Sequence, residues 1–248
     1  MKQSLLFIVL VAALAGCGTT AKFIYPADSS KLVHVCDSPK HDMSVAVVPF
    51  EDHRPSKNNS AGWWLYLIPA MPWGEATYER PDGARMFFSI NEYNFDVPED
   101  LAKAAATSLR QSGMFKDVFF TYGGEKDNAG LLLKGTIDST LYKGKIISYG
   151  LSVYGPLLWY VGLPGGESIN HLSIKLQLVD RRTNQVRWEH AFSKDSSVVQ
   201  SLYYNTGQDC INYAAMMQEG MNEAILALDA ANLDLSSGAT TRPEVAAR

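Results

Sequence analysis

The chain has 248 residues, of which 46% are hydrophobic and 19% are charged. This composition is typical of a folded protein and argues against a disordered chain. The formal net charge is −4 and no basic stripe is present, which argues against nucleic acid as a partner. The length is enough to bury one substantial hydrophobic core or two small ones.

The first 16 residues have the layout of a secretory signal peptide. Lys2 precedes a short apolar run over 5–13, which is shorter than the roughly 20 apolar residues of a membrane-spanning helix. The next four residues, Leu14-Ala15-Gly16-Cys17, match the lipobox of bacterial lipoproteins. The resemblance implies that 1–16 is removed and that Cys17 carries lipid, which anchors the protein to a membrane. The alternative is an ordinary signal peptide with an unmodified Cys17.

The residue after Cys17 bears on localisation. In enteric bacteria an aspartate there retains a lipoprotein in the inner membrane, whereas this chain has Gly18. The lipoprotein resemblance therefore implies an outer-membrane protein that faces the periplasm. Residues 17–42 show no sustained period, which predicts a lipidated tether; they include Gly18-Thr19-Thr20, Pro26, Asp28-Ser29-Ser30 and Ser38-Pro39-Lys40. Residues 43–232 are expected to form a single periplasmic domain, and 233–248 a flexible tail.

Within the domain, the predicted elements follow the order strand, helix, several strands, helix. Asp96 can cap the first helix, Pro98 lies in its first turn, and Gly113 ends it. Apolar residues alternate with polar ones over 171–178, as in a strand with one buried face. These features predict an α+β domain: a mixed, mainly antiparallel sheet with helices packed on one face. The remaining predicted elements are strands at 44–50, 117–122, 131–142 and 186–192 and a helix at 208–229.

Several short sequence segments resemble those of one group of envelope proteins. They are VAVVPFED at 45–52, LRQSGMFKDV at 109–118, LLLKGTI at 131–137 and LQLVDRRTNQVRWEHAF at 176–192. They look like the fold shared by the curli secretion channel lipoprotein, the lipoprotein activators of penicillin-binding proteins and the amino-terminal domain of the Tol–Pal translocation protein. The resemblance implies that fold and leaves the function open, because one fold hosts many functions.

Two apolar insertions, at 62–73 and 146–164, depart from that pattern and contain four of the five tryptophans. Gly155-Pro156 interrupts the second insertion, which argues against a membrane helix and favours a β-hairpin. The insertions could pack on each other as an irregular subdomain, bind a protein partner or a second copy, or enter a membrane. We expect them to lie together at one end of the domain and to remain partly exposed. The predicted interaction residues are Trp63, Trp64, Leu67, Trp73, Leu157, Trp159 and Tyr160.

Two cysteines remain besides Cys17. In an oxidising compartment Cys36 and Cys210 could form a disulfide, and the alternative is a pair of buried thiols. The sequence holds no catalytic motif, and its histidines lack metal-ligand spacing. The best polar cluster, at 51–54, could bind a ligand or a metal but reads more simply as a solvated loop. We therefore expect no catalytic residues, no metal and no cofactor.

Three functions are compatible with these features. The first is a lipid-anchored, non-enzymatic structural, assembly or interaction factor of the envelope, with the insertions as its contact surface. The second is a ring-forming subunit of a secretion or export apparatus. The third is a lipid-anchored hydrolase, which the absence of a nucleophile with a nearby base disfavours.

Overall fold

The computed structural model of the protein describes residues 19–59, 61–83, 90–124, 128–208, 210 and 212–232. The predicted signal peptide, Cys17 and the predicted tail at 233–248 lie outside these residues. The helices are α1 (Val97–Gln111), the short α2 (Pro156–Trp159) and α3 (Asn212–Ala230). The strands are β1 (Thr19–Lys22), β2 (His41–Val47), β3 (Glu51–Asp52), β4 (Asn58–Asn59), β5 (Trp73–Tyr78), β6 (Ile90–Asn94), β7 (Phe115–Phe120), β8 (Leu131–Ser139), β9 (Tyr142–Ile147), β10 (Gly166–Asp180) and β11 (Gln185–Gln200).

Nine of the strands in the described residues form one mixed sheet around β10. One edge of β10 pairs antiparallel with β11 along its whole length. The other edge pairs with β8 and β9, which lie end to end as one interrupted strand. Beyond these, β2 pairs parallel with β7 and β8, and β5 pairs antiparallel with β9. Mainly antiparallel pairing with helices confirms the predicted α+β class.

The core lies between the sheet and the two long helices. Along β10 the buried residues Leu172, Ile174, Leu176 and Leu178 alternate with partly exposed polar residues, as the sequence predicts. The helix α1 packs against β2 and β7, while α3 packs against β10 and β11 and also contacts α1. Leucine and methionine side chains from both helices and from β8 and β10 surround one shared apolar space. Each buried side chain of this kind stabilises the fold by roughly 1.5–3 kcal/mol.

The ends of α1 follow from local sequence. The side chain of Asp96 accepts a hydrogen bond from the Glu99 N–H, and Pro98 occupies the first turn. After the helix, Gly113 has a φ of +74°, and a Cβ atom there would lie 2.0 Å from the Cys36 carbonyl oxygen. Only glycine fits this left-handed position against a neighbouring backbone, so the helix ends where the sequence predicts.

Residues 19–42, which the sequence predicts to be a tether, pack against the domain instead. The strand β1 pairs parallel with β6, and the buried Phe23 ring stacks on Phe95 with 4.7 Å between ring centroids. Further along, the Asp28 N–H donates to the Gln218 side chain at 3.0 Å. The side chain of Lys40 then pairs with Asp229 near the end of α3. These contacts hold the segment along the two helices, from their N-terminal ends to their C-terminal ends.

Candidate interaction surface

Three connecting segments leave the sheet at the same end. Residues 62–72 lead into β5, whose first residue Trp73 pairs with Ile147 at the end of β9. Residues 148–165 connect β9 to β10, and 201–208 follow β11, whose last residue Gln200 pairs with Gly166. We call the surface formed by these three segments the apolar surface. The prediction that the two insertions lie together at one end of the domain is confirmed.

Backbone hydrogen bonds join the first two segments directly. The Ala70 N–H donates to the Gly150 carbonyl at 2.9 Å, and the Ser148 and Tyr149 N–H groups both donate to the Pro72 carbonyl, at 2.9 and 3.0 Å. The Ser148 hydroxyl donates to the Met71 carbonyl at 2.8 Å. Pairing these polar groups within the protein avoids the cost of leaving them unsatisfied, so the segments hold each other in a defined shape.

The second insertion does not form the predicted β-hairpin. The strand β9 ends at Ile147, and the chain then forms a short 3-10 helix at Ser152–Tyr154 and the single turn of α2. The chain folds back on itself so that Gly155 touches the backbone of Ser148. A Cβ atom at Gly155 would lie 2.6 Å from the Ser148 Cα and carbonyl oxygen, so this contact requires glycine. Alternation of apolar residues could not reveal this close approach, which is why the strand pattern was misleading here.

Most of the predicted interaction residues are exposed. The exposed fractions are 46% for Trp64, 48% for Trp73, 61% for Leu157 and 56% for Tyr160, and Leu67 is also exposed. The two others, Trp63 and Trp159, are half-buried. The indole N–H of Trp159 donates to the Ile147 carbonyl at 2.9 Å, so this side chain helps to hold the second insertion on the sheet.

The third segment was missed by the sequence analysis. Leu202, Tyr203 and Tyr204 are exposed, and the Tyr203 hydroxyl donates to the Tyr160 carbonyl at 2.6 Å, which joins this segment to the second insertion. A signal was available, because residues 196–208, which form the end of β11 and the segment after it, contain no charged side chain. Charge depletion in a connecting segment therefore identifies the third part of the surface.

The apolar surface is uncharged and ends at an ion pair. No Asp, Glu, Lys or Arg occurs at 58–74, 146–166 or 196–208. At its border Lys145 pairs with Glu167 at 3.0 Å, and its ammonium lies 5.9 Å from the centre of the Trp73 ring. Aromatic side chains bury about 150–250 Å² each when covered, whereas a contiguous exposed patch above a few hundred Å² usually marks a contact site. The surface, with exposed aromatic side chains and no charge, has the composition of such a site.

No disulfide joins Cys36 to Cys210, which corrects the predicted pairing. Cys36 lies beside Gly113, just after the C-terminal end of α1. The Cys210 carbonyl accepts a hydrogen bond from the hydroxyl of Tyr93, a residue shortly before the N-terminal end of α1. The helix has 15 residues, which at about 1.5 Å each separates its two ends by about 22 Å. A disulfide needs Cα atoms within about 7 Å of each other.

Within the polar cluster at 51–54, Glu51 and His53 are exposed, as expected of a solvated loop, whereas Asp52 and Arg54 belong to an internal ion-pair network. Arg54 is buried and donates to Asp52 from Nε at 2.9 Å, to Asp82 from Nη1 at 2.7 Å and to the Thr140 hydroxyl at 2.8 Å. Arg80 pairs with the second oxygen of Asp52 at 2.9 Å. These hydrogen bonds, above all those from Arg54, hold the pKa of Asp52 below its usual value. Two arginines balance two aspartates, so the network serves to join the chain after β3 to the end of β5.

In the described part of the chain, no group of three or more His, Cys, Asp or Glu residues could hold a metal ion. The helices of that part are also too short or too polar to cross a membrane.

Neither a protein-family model nor a curated protein matches this sequence. Solved structures with a similar fold include a Xanthomonas campestris protein of the DUF330 family, with 10% identity, a TM-score of 0.45 and coverage of 87% of this chain and 95% of that chain. PelC from Paraburkholderia phytofirmans, solved as a dodecamer, has 11% identity, a TM-score of 0.34 and coverage of 77% and 89%. A lipoprotein from Neisseria meningitidis has 15% identity, a TM-score of 0.22 and coverage of 76% and 99%. These likenesses are too distant to carry an argument about function or assembly.

Proposed function

We propose that the protein is a lipid-anchored lipoprotein of the bacterial envelope, held by Cys17 in the outer membrane and facing the periplasm. It acts as a non-enzymatic structural, assembly or interaction factor. The observation that carries this proposal is the apolar surface, which three segments build without a single charged residue. Exposing so many aromatic side chains is a liability for a soluble monomer unless another surface covers them.

The construction of the surface supports a binding role. A domain that needed these aromatics only for its core would bury them, but Trp64, Trp73 and Tyr160 stay exposed while backbone hydrogen bonds fix the segments that carry them. A surface that is fixed before binding loses less conformational entropy when it binds. The core between the sheet and the helices is filled by other side chains, both aliphatic and aromatic, and of the predicted interaction residues Trp63 also packs against it. The exposed aromatics are therefore available for a contact outside the domain.

A ring-forming subunit of a secretion or export apparatus is the second candidate. One feature favours it: β11 has 16 residues and pairs only with β10 among the described strands. A long edge strand can pair with another chain. Size measurement in mild detergent separates the candidates, since a discrete large oligomer supports the ring and a monomer or dimer contradicts it.

Two variants test the first proposal in cells. Cys17→Ser should abolish incorporation of labelled palmitate and leave a precursor or a soluble periplasmic form. Palmitate labelling of the Cys17→Ser protein would contradict the anchor, and co-fractionation of the wild type with inner-membrane markers would contradict the outer-membrane assignment.

The second variant is Leu157→Ser with Tyr160→Ser, chosen because both side chains are exposed whereas Trp159 supports the fold. It should change the free energy of unfolding by less than about 1 kcal/mol and weaken the contacts that the protein makes in the envelope, measured by chemical crosslinking. Val186→Ser, at an exposed position at the other end of the β10–β11 hairpin, is the matched control. Unchanged crosslinking with a large loss of stability would show that the segments are ordinary core.

A further inference from the structure

We propose that the apolar surface rests on the lipid bilayer that carries the Cys17 anchor, with its aromatic side chains at the boundary between headgroups and acyl chains. The proposal depends on the lipid anchor proposed above and names the occupant of the surface. Three features of the molecule support it: where the N-terminal segment enters the domain, how far the anchor can reach, and how charge is distributed between the two ends.

The N-terminal segment enters at the end of the domain where α1 and α3 begin. Phe23 stacks on Phe95, just before α1, while Tyr25 hydrogen-bonds Ser108 in the last part of α1. The later contacts of the segment, with Gln218 and then Asp229, follow α3 in the same direction. Residues before Phe23 therefore lie beside the N-terminal ends of the two helices, and β1 leads away from the helix bodies.

The apolar surface lies in the same half of the molecule. The hydroxyl of Tyr213, in the first turn of α3, donates to the Thr140 carbonyl at 2.9 Å and contacts the Leu141 carbonyl at 3.1 Å. These carbonyls mark the junction between β8 and β9, so the helices begin at the level of this junction. The strand β9 continues beyond it to Ile147, where the apolar surface starts. The chain entry and the apolar surface thus lie in the same half of the molecule, and Cys210, two residues after the third segment of the surface, accepts a hydrogen bond from the hydroxyl of Tyr93 on β6, which pairs with β1.

The anchor cannot be far from this end. Cys17 precedes Thr19, the first residue of β1, by two residues, which span at most about 7 Å when fully extended. A lipid on Cys17 therefore brings the bilayer close to the end of the domain that carries the apolar surface. A cleft of about 410 Å³ lies near the chain entry; Phe23, Ile24 and Ala214 line it together with the polar Lys22 and Asn212.

The distribution of charged residues between the two ends of the molecule suits a membrane contact at the end that carries the apolar surface. The apolar surface combines Trp, Tyr and aliphatic side chains without charge, the composition found at membrane–water interfaces. The opposite end of the β10–β11 hairpin carries the exposed Arg181 and Arg182 and the ion pair of Asp180 with Arg187. A protein partner would also accept aromatic side chains, but the short link to the anchor favours the bilayer as the surface that covers them.

Tryptophan fluorescence of the full mature, lipidated protein in phospholipid vesicles tests the proposal. The vesicles contain phosphatidylethanolamine and phosphatidylglycerol, with or without bromine atoms on the acyl chains, which quench nearby indoles. We expect the brominated vesicles to quench the wild-type emission. Changing Trp64 and Trp73 to Phe should remove most of that quenching, because Phe keeps the surface apolar but removes the exposed indoles. Trp188→Phe is the matched control, since Trp188 lies on β11 opposite Leu178, near the other end of the hairpin, and should leave quenching unchanged.

Flotation of the vesicles and the quenching report on different claims. If the protein floats with the vesicles and its emission is the same in both kinds, the surface faces away from lipid; the bilayer contact is then wrong while the anchor stands. If the protein does not float because Cys17 is unmodified, the anchor is wrong and the bilayer contact fails with it. Circular dichroism of each Phe variant verifies that it is folded, so that a loss of quenching reports position and not unfolding.

Discussion

At the scale of single residues, Arg54 combines ion pairs and hydrogen bonds to several partners. Its guanidinium is buried and donates to two carboxylates and one hydroxyl, so replacing it leaves Asp52 and Asp82 without their main partner. Arg54→Ala should lower the free energy of unfolding by about 3–5 kcal/mol, the usual cost of removing one partner from a buried ion pair. Urea unfolding measures this, with Arg182→Ala at an exposed turn as the control. Equal effects of the two substitutions would show that the network is not stabilising.

The Asp52 carboxylate predicts a dependence of stability on acid. Its pKa in the folded protein is lowered, first by the hydrogen bonds from Arg54. A lowered folded-state pKa means that the carboxylate stabilises the fold above its unfolded pKa of about 3.9 and loses this contribution as pH falls through the folded value. Asp52→Asn should therefore be less stable than the wild type at neutral pH and lose less stability below about pH 4. Parallel stability curves from pH 7 to acid for the two proteins would contradict this.

At the scale of elements, local patterns predict what local forces determine. The cap at Asp96, the positive φ at Gly113 and the alternation along β10 can each be predicted from a short stretch of sequence, and the structure confirms them. Patterns fail where distant segments decide the outcome. The pairing of β1 with β6 joins residues about 70 positions apart, and the second insertion is held by hydrogen bonds from Ser148 and Tyr149 to the Pro72 carbonyl, about 75 positions away. No period in the sequence reports such contacts.

The same distinction applies to the candidate surface. Clusters of Trp and Tyr indicated the first two segments of the apolar surface. Aromatic residues are conspicuous in the sequence when they occur in connecting segments that Pro and Gly interrupt. The sequence could not show that Trp159 turns inward to bond the Ile147 carbonyl while Tyr160 stays exposed. Charge depletion indicated the third segment, but the sequence could not show the hydrogen bond from Tyr203 that joins this segment to the second insertion. Side-chain direction within an irregular segment depends on packing, which only the folded structure reveals.

The packed N-terminal segment gives a prediction at the element scale. Phe23 is buried against Phe95, whereas its neighbour Ile24 is 70% exposed. Phe23→Ala should lower the free energy of unfolding by about 3–5 kcal/mol, while Ile24→Ala should change it by no more than about 0.5 kcal/mol. Denaturant unfolding of the two variants measures the difference. If Phe23→Ala is as mild as Ile24→Ala, the segment is a tether after all.

At the scale of the whole molecule, the two ends differ in character. The strand β10 has 15 residues, which at about 3.4 Å each is about 50 Å long. One end of this axis carries the apolar surface, the chain from Cys17 enters in the same half of the molecule beside the β8–β9 junction, and the other end carries a turn with Arg181 and Arg182. A lipid at Cys17 would place the first end at the membrane and hold the charged turn in the periplasm. The molecule is then oriented by both its anchor and its surface.

The measurement that tests this account most directly is site-specific photocrosslinking in living cells. A photoreactive amino acid replaces Tyr160 on the apolar surface or, as the control, Val186 at the opposite end of the hairpin; both positions are exposed. Mass spectrometry then identifies what each position captures. We predict phospholipid adducts at position 160 and none at position 186. Equal lipid capture at both positions, or capture at position 160 of protein alone, would contradict the placement of the apolar surface on the membrane.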